Sequence, residues 1–328
     1  MQTVDSPAAT RLADQLPVNL IAATHTLDAS TASEAGASRS MACCACGHVG
    51  PTAESTTVRC NVRRYRDRSF SIWRCGRCAS LHCERVDDLA AYYADYPIRN
   101  QTLDYFTRSW YRVILRRLLQ AGIKRDDVIL DYGCNRGLFI DFLAENGFSR
   151  CTGYDPFVER YSSKEVLEQR YDWVISLDVI EHDDDPRAFL TKLVGLLRRG
   201  GRLCIETPNA DGIDLADPER FLHAIHVPYH LHILSQRALL DLAREHGLEP
   251  VATYLRWYMD SWQPGTARRL FESLMQYAGN DLDVGYEPPR IDLFFRHPSL
   301  LWNLFFGYFM PGAQRDHMMM LLRAPAQA

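Results

Sequence analysis

The stretch from Val128 to Gly137 reads VILDYGCNRG. Three apolar residues run into an acid, and glycines follow at 133 and 137. A buried strand that opens into a loop almost without bulk lets a ligand approach the backbone closely. After it, Phe139, Phe142 and Leu143 share one face and Gly147 makes a stop, so the spacing predicts a helix from Gly137 to Asn146. A loop between a parallel strand and a helix lies at the carboxyl end of an open sheet, where such sheets bind ligands. The free N–H groups of the helix start add polar contacts there.

Working outward, strands and helices alternate. CTGYD (151–155), WVISLD (173–178), RLCIET (202–207) and PVATYLRWY (250–258) read as strands. Asp185-Pro186 caps a helix expected to run to Arg199 and to stop at Gly200-Gly201, and Ser235 caps another to His246. HMMMLLR (317–323) reads as a final edge strand. Residues 126–328 therefore predict an α/β fold, a doubly wound, mostly parallel sheet. Residues 259–312 interrupt it, with the apolar run LFFRHPSLLWNLFFGYFMPG at 293–312. That insertion is expected to pack on the sheet as ordinary core; a lid, a homodimer surface or a membrane contact are its other uses. Residues 84–125 form a helical link, with Leu103, Phe106, Trp110, Ile114 and Leu118 on one face. Residues 1–41, rich in Ala, Ser and Thr, read as a disordered leader, with Met41 an alternative start.

The 328 residues carry a net charge of −4, 47% apolar and 24% charged side chains. Such a balance gives no general attraction to nucleic acid or an anionic membrane, so neither is expected as a partner. No apolar run is long enough to span a bilayer and no secretory signal opens the chain, so a cytoplasmic protein is expected. Seven of the ten cysteines fall between Cys43 and Cys83. In a reducing compartment that clustering reads as metal binding.

Asp155 ends the second strand, 24 residues after Asp131, where a carboxylate can accept both hydroxyls of a ribose. The glycine spacing is not that of a dinucleotide loop, and Asp131 would repel a phosphate. An amine or sulfonium suits it better. On these residues the chain resembles the class I S-adenosylmethionine-dependent methyltransferases, through LDYGCNRG, GYDP, SLDVIEH and LLRRGGRLCIETPN in that order. The resemblance covers roughly residues 100–260 and implies a Rossmann-like methyltransferase fold. It implies that Asp131, Gly133, Cys134, Asn135 and Gly137 wrap the methionine part of the cofactor and that Asp155 holds the ribose. Pro156 and Phe157 would lie against the adenine, with Leu177 and Asp178 flanking the methionine moiety. Two departures stand out. Asn135 replaces the family's usual glycine, which asparagine's tolerance of left-handed angles can accommodate. Sixteen residues between Asp155 and Asp172 leave little room for the usual third strand.

Cys43-x-x-Cys46 and Cys75-x-x-Cys78 are two C-x-x-C pairs with 28 residues between them. Each makes a knuckle, and together they offer four thiolates for a structural zinc ion in a small zinc ribbon over residues 42–83. Cys44, Cys60, Cys83, His48 and His82 are rival ligands. A ribbon before such a domain resembles some sugar and natural-product methyltransferases and certain ribosomal-RNA methyltransferases. From Arg59 to Arg77 seven arginines face one acid, which reads as a solvated surface or, alternatively, an anion-binding face.

Methyl transfer asks the protein to position a nucleophile, exclude water and, where needed, take a proton. His182 follows a strand directly. HAIHVPYHLH (223–232) sets four histidines after another, and His226, Tyr229, His230 and His232 are the residues to watch. His182, His226 and His230 are the catalytic candidates, by the mid-range pKa of imidazole. A metal at His226-x-x-x-His230 is disfavoured by Pro228 between them. The expected activity is methyl transfer to a small molecule such as a sugar nucleotide or secondary metabolite. The alternatives are an RNA methyltransferase that uses the ribbon for RNA contact, and a non-catalytic binding module on the same fold.

Overall fold

The computed structural model describes residues 41–326 except 259, 262, 289 and 309–314; the expected leader thus lies almost wholly outside the described residues. The central sheet has six strands in the order Glu249–Arg256, His317–Arg323, Leu197–Pro208, Tyr171–Leu177, Ile129–Tyr132, Cys151–Tyr154. All are parallel except His317–Arg323, which runs against both neighbours. Two layers of helices cover it. Met318, Met320 and Leu322 join Leu130, Phe189, Leu193 and Leu239 on one face, while Met319 and Leu321 join Ile129, Ile114 and Phe142 on the other. The two-residue alternation of a strand places neighbouring methionines on opposite faces. Burial on both sides explains why these strands read as unbroken apolar runs.

Three expectations change. His317–Arg323 is not an edge strand: it pairs Met318 with Thr207 and Leu255, and residues 317–322 are all buried. Its place at the end of the chain suggested an edge, whereas its continuous apolar sequence suits an interior position. The helix begun at Pro186 stops at Gly195, and a strand starts at Leu197. Gly200-Gly201 does not end a helix but relieves a bulge: Tyr171 pairs with Leu197, Trp173 with Arg202, and Gly200 takes a φ of +71°. Nor does the insertion pack on the sheet. Its helices Arg268–Tyr277, Ile291–Arg296 and Ser299–Phe306 build a cluster of their own around Leu270, Leu293 and Leu300, and leave Phe295 83% and Phe305 67% exposed.

The stretch between Asp155 and Asp172 holds only short 3-10 turns, Glu159–Tyr161 and Lys164–Glu168, and no strand lies beyond Cys151–Tyr154 among the described residues. Asp104 caps the helix Tyr105–Gln120, which buries Trp110, Ile114 and Leu118 but leaves Phe106 exposed. The cysteine-rich segment forms a second, antiparallel sheet of Thr52–Arg59, Ser69–Cys75 and Leu81–Cys83. Its fourth strand, His232–Ile233, comes from far along the chain and pairs with Leu81–Cys83.

Candidate active site and cysteine cluster

Ile129–Tyr132 ends at the carboxyl rim with Asp131 buried. The loop then turns through Gly133 (φ +82°), Asn135 (φ +47°) and Gly137 (φ +80°) into the helix Leu138–Glu145. Asparagine holds the left-handed angle in place of the usual glycine, as its short polar side chain permits. A methyl group on Gly133 would collide with Val179, and one on Gly137 with the Tyr161 hydroxyl. Asp155 closes the loop from the next strand: its carboxylate accepts from the Asn135 N–H and the Phe157 N–H, both at 2.9 Å. Cys134, Asn135, Arg136 and Leu138 line a cleft with Ile98, Gln101 and Tyr111 from the helical link. Leu177 ends the neighbouring strand. Asp178 follows at φ +52°, and its Oδ1 is buried without a hydrogen-bond partner. Phe157 stands 81% exposed beside Pro156.

Burial, and then the charge of Asp155, push the Asp131 carboxyl up to about 7. Burial also raises Asp155, while the two backbone N–H donors pull it down. Burial raises Asp178 strongly, with Glu206 and Glu181 adding like charge. Carboxylates crowded around a glycine loop suit a cationic ligand part and repel an anionic one.

Residues 104–253 match the family model described as a methyltransferase domain. Over 110 residues the chain is 30% identical to the tRNA U34 carboxymethyltransferase of Alteromonas mediterranea, covering 26% of this chain and 33% of that protein. The chain thus spans about a third of the length of that relative. Over 187 residues it is 28% identical to the ubiquinone biosynthesis O-methyltransferase of Dinoroseobacter shibae, covering 47% of this chain and 72% of that one. A solved structure, a putative sarcosine dimethylglycine methyltransferase from Galdieria sulphuraria, aligns at 17% identity over 67% of this chain and 86% of its own, with a TM-score of 0.41. The acids and glycines that the chain places at this rim suit a ligand with a cationic part.

Above the same rim sit the histidines. His182 ends the turn Ile180–His182, and its Nδ1 donates to the Tyr229 carbonyl at 2.9 Å, with the Tyr93 hydroxyl equally near. His230 Nδ1 donates to the Ala224 carbonyl at 2.8 Å. Both nitrogens of His226 are engaged, Nδ1 with Asn61 Oδ1 at 2.7 Å and Nε2 with the Tyr96 hydroxyl at 2.9 Å. Burial drives His182 down to about 4 and His226 to about 3, and His230 well below its ordinary value, so all three are neutral. The domain therefore brings His182, His226 and His230 together, their rings about 5 Å apart between neighbours. Sequence reasoning missed Tyr93, which meets Tyr229 edge-on, and Tyr96, which stacks on it; both reach these histidines from the helical link. Their aromatic run AYYADY was the available signal.

At the end of the strand Glu249–Arg256, Arg256 is fully buried between Glu206 and Asp260, with N–O distances of 2.5 Å to each. These are charge contacts rather than aligned hydrogen bonds, since the same guanidinium nitrogens lack partners by angle. Arg117 also meets Asp260, at 3.0 Å. Arg256→Met strands Glu206 as an uncompensated charge, and urea unfolding should show a loss of roughly 3–5 kcal/mol. A loss below 1 kcal/mol, with the fold intact, would contradict this reading of the network.

Packed against the same core, Cys43, Cys46, Cys75 and Cys78 converge, every Sγ within 4.8 Å of the others. Cys43 and Cys78 are 3.5 Å apart, Cys46 and Cys75 3.7 Å. A tetrahedron of thiolates about 2.3 Å from a zinc ion has edges of about 3.8 Å, so the donor set fits that ion. His82 Nε2 lies 3.1 Å from Cys43 Sγ, and its ring stacks on Trp73. Cys60 and Cys83 point instead into the apolar cluster below, where burial pushes their thiols up to about 11 and 12. Five of the seven arginines of this segment turn to the chain's own acids: Arg59 to Glu219, Arg63 to Asp281 and Glu287, Arg64 to Asp95, Arg66 to Asp281, Arg74 to Glu54.

Proposed function

We propose that the protein transfers a methyl group from S-adenosylmethionine to a small molecule such as a sugar nucleotide or a secondary metabolite. A structural zinc ion on Cys43, Cys46, Cys75 and Cys78 completes this reading, with the cytoplasm as its compartment; no helix among the described residues is long and apolar enough to cross a membrane. The observation that carries it is the pair of carboxylates, Asp131 and Asp155, set on either side of the glycine turn at one rim. The cofactor would supply an electrophilic methyl group on a sulfonium. Asp131 with Gly133, Cys134, Asn135 and Gly137 would hold its amino-acid end. Asp155 would hold the ribose, Pro156 and Phe157 would offer an apolar face to the adenine, and Leu177 with Asp178 would border the methionine moiety. His182 and His230 stand where an acceptor would enter, and His226, held at both nitrogens, positions them through Tyr96 and Tyr229.

An RNA substrate is the second reading, since two relatives are tRNA U34 carboxymethyltransferases. The spent arginines and the net charge of −4 favour the small molecule. Calorimetry with S-adenosylmethionine tests the first reading against a non-catalytic module: absence of binding at millimolar concentration would end it. RNA binding that weakens steeply with salt would instead support the second.

The raised Asp131 gives a pH dependence. Below about 7 it is protonated and offers no charge to a cation. The Kd for S-adenosylmethionine should therefore fall as pH rises from 6 to 8 and then level off, and Asp131→Asn should flatten the profile. Without ligand the sign reverses. The native state holds this proton above the ordinary value of 3.8, so Asp131's contribution to stability drops as pH rises from there to about 7. A wild-type Kd that does not vary with pH would contradict the assignment.

A further inference from the structure

Three ligand-type side chains, Glu181, His182 and His230, meet at the rim. His182 and His230 each commit Nδ1–H to a backbone carbonyl, which can only accept, so each presents a bare Nε2 lone pair. Glu181 lies beside them, fully buried. Its Oε2 accepts from the Thr207 hydroxyl at 3.0 Å, and its Oε1 has no hydrogen-bond partner. His230 Nε2 stands 3.9 Å from Glu181 Oε1, too far for a hydrogen bond, and one ligand atom from each of the three residues lies within 4.8 Å of the others. A buried carboxylate oxygen without a donor, set beside two imidazoles, is satisfied by a cation among them.

We propose that Glu181, His182 and His230 bind one divalent first-row transition-metal ion, which holds the oxygen of a hydroxyl acceptor. Two imidazoles and one carboxylate make a donor set of intermediate softness that occupies one side of an ion and leaves positions open. The backbone carbonyls fix both tautomers, and Thr207 fixes the carboxylate, as the surroundings of metal ligands commonly do. Bonds of about 2.1 Å put neighbouring ligands roughly 3–3.4 Å apart, so the side chains close by about an ångström around the ion. His226 takes no part, because both its nitrogens are engaged. Unlike the four-thiolate cluster, this site is open, which suits substrate binding over structure.

Its use, though not its existence, rests on the methyl-transfer reading. The acceptor oxygen forms a bond to the methyl carbon as the carbon–sulfur bond breaks. The electron pair stays on sulfur, leaving S-adenosylhomocysteine, and the hydroxyl proton passes to water. A hydroxyl drawn to a divalent cation loses its proton more readily, as bound water does. The site thus specifies oxygen as the acceptor atom.

The test is titration of the purified full chain, freed of loosely held metal, with Mn2+, followed by loss of the free-ion paramagnetic resonance signal. Mn2+ prefers imidazole and carboxylate to thiolate, so it reports this site and not the cysteines. One Mn2+ per chain is expected. His230→Ala and Glu181→Gln should each raise its Kd at least about tenfold, while both keep S-adenosylmethionine binding by calorimetry. Should the alanine variant fail to fold, the isosteric glutamine variant decides alone. No Mn2+ bound by the wild type, or equal affinity in wild type and folded variants, overturns the proposal. Mn2+ binding without cofactor binding would sink the methyl-transfer reading and leave the site standing; cofactor binding without Mn2+ would do the reverse.

Discussion

Cys78→Ser is expected to release the zinc ion and to melt the cysteine-rich sheet. That sheet packs Val58, Phe70, Ile72 and Leu81 into an apolar cluster, but its knuckles close only around the ion, and thiolate–zinc binding in small modules supplies on the order of 10–16 kcal/mol of folding free energy. Serine is a poor zinc ligand, and three thiolates from two knuckles no longer close the tetrahedron. Zinc content should fall from one ion per chain to well below half. Thermal unfolding should lose its single transition or shift down by roughly 10 °C or more, as a deficit of several kcal/mol implies for a chain of this size. Cys60→Ser is the control. Cys60 is just as buried but lies in the apolar cluster away from the other four, so that variant should keep its zinc. Equal zinc content in the two variants would refute the assignment of ligands.

The second large effect is at Asp155. Its carboxylate accepts the N–H groups of Asn135 and Phe157, so Asp155→Ala removes the proposed ribose contact and unpins the turn on one side and the adenine platform on the other. Hydrogen bonds to a charged group contribute about 1.5–3 kcal/mol each. Losing two of them should raise the Kd for S-adenosylmethionine about a hundredfold or more, with little change in zinc content. Calorimetry reads this directly. A change of less than threefold would mean that the acid serves the loop alone.

Much of this was legible beforehand, and for identifiable reasons. The glycine turn, its acids and the strand ends follow from local chemistry: left-handed angles need Gly or Asn, and parallel strands buried on both faces read as apolar runs. The missing third strand followed from counting residues. Sheet order did not follow, because pairing between Leu197–Pro208 and His317–Arg323 joins segments more than a hundred residues apart. The bulge at Gly200-Gly201 was misread because a glycine pair ends a helix and relieves a strand equally well. The converging rings of His182, His226 and His230 were foreseen as candidates. That His226 is engaged at both nitrogens depends on Asn61 and Tyr96, and that Glu181 keeps one bare oxygen depends on Thr207, none of which periodicity can place.

The short strand His232–Ile233 joins the histidines to the cysteine knuckles. It starts two residues after His230, pairs His232 with His82, and His82 reaches Cys43 Sγ. An enzyme trimmed to residues 104–253 would therefore keep its glycine turn yet leave that strand an orphan edge, and would lack the reversed strand at the sheet's interior as well. The knuckles act as a buttress: slackening them should loosen the imidazole shelf from behind, so oxidation of the thiols would silence turnover without touching any atom of the substrate.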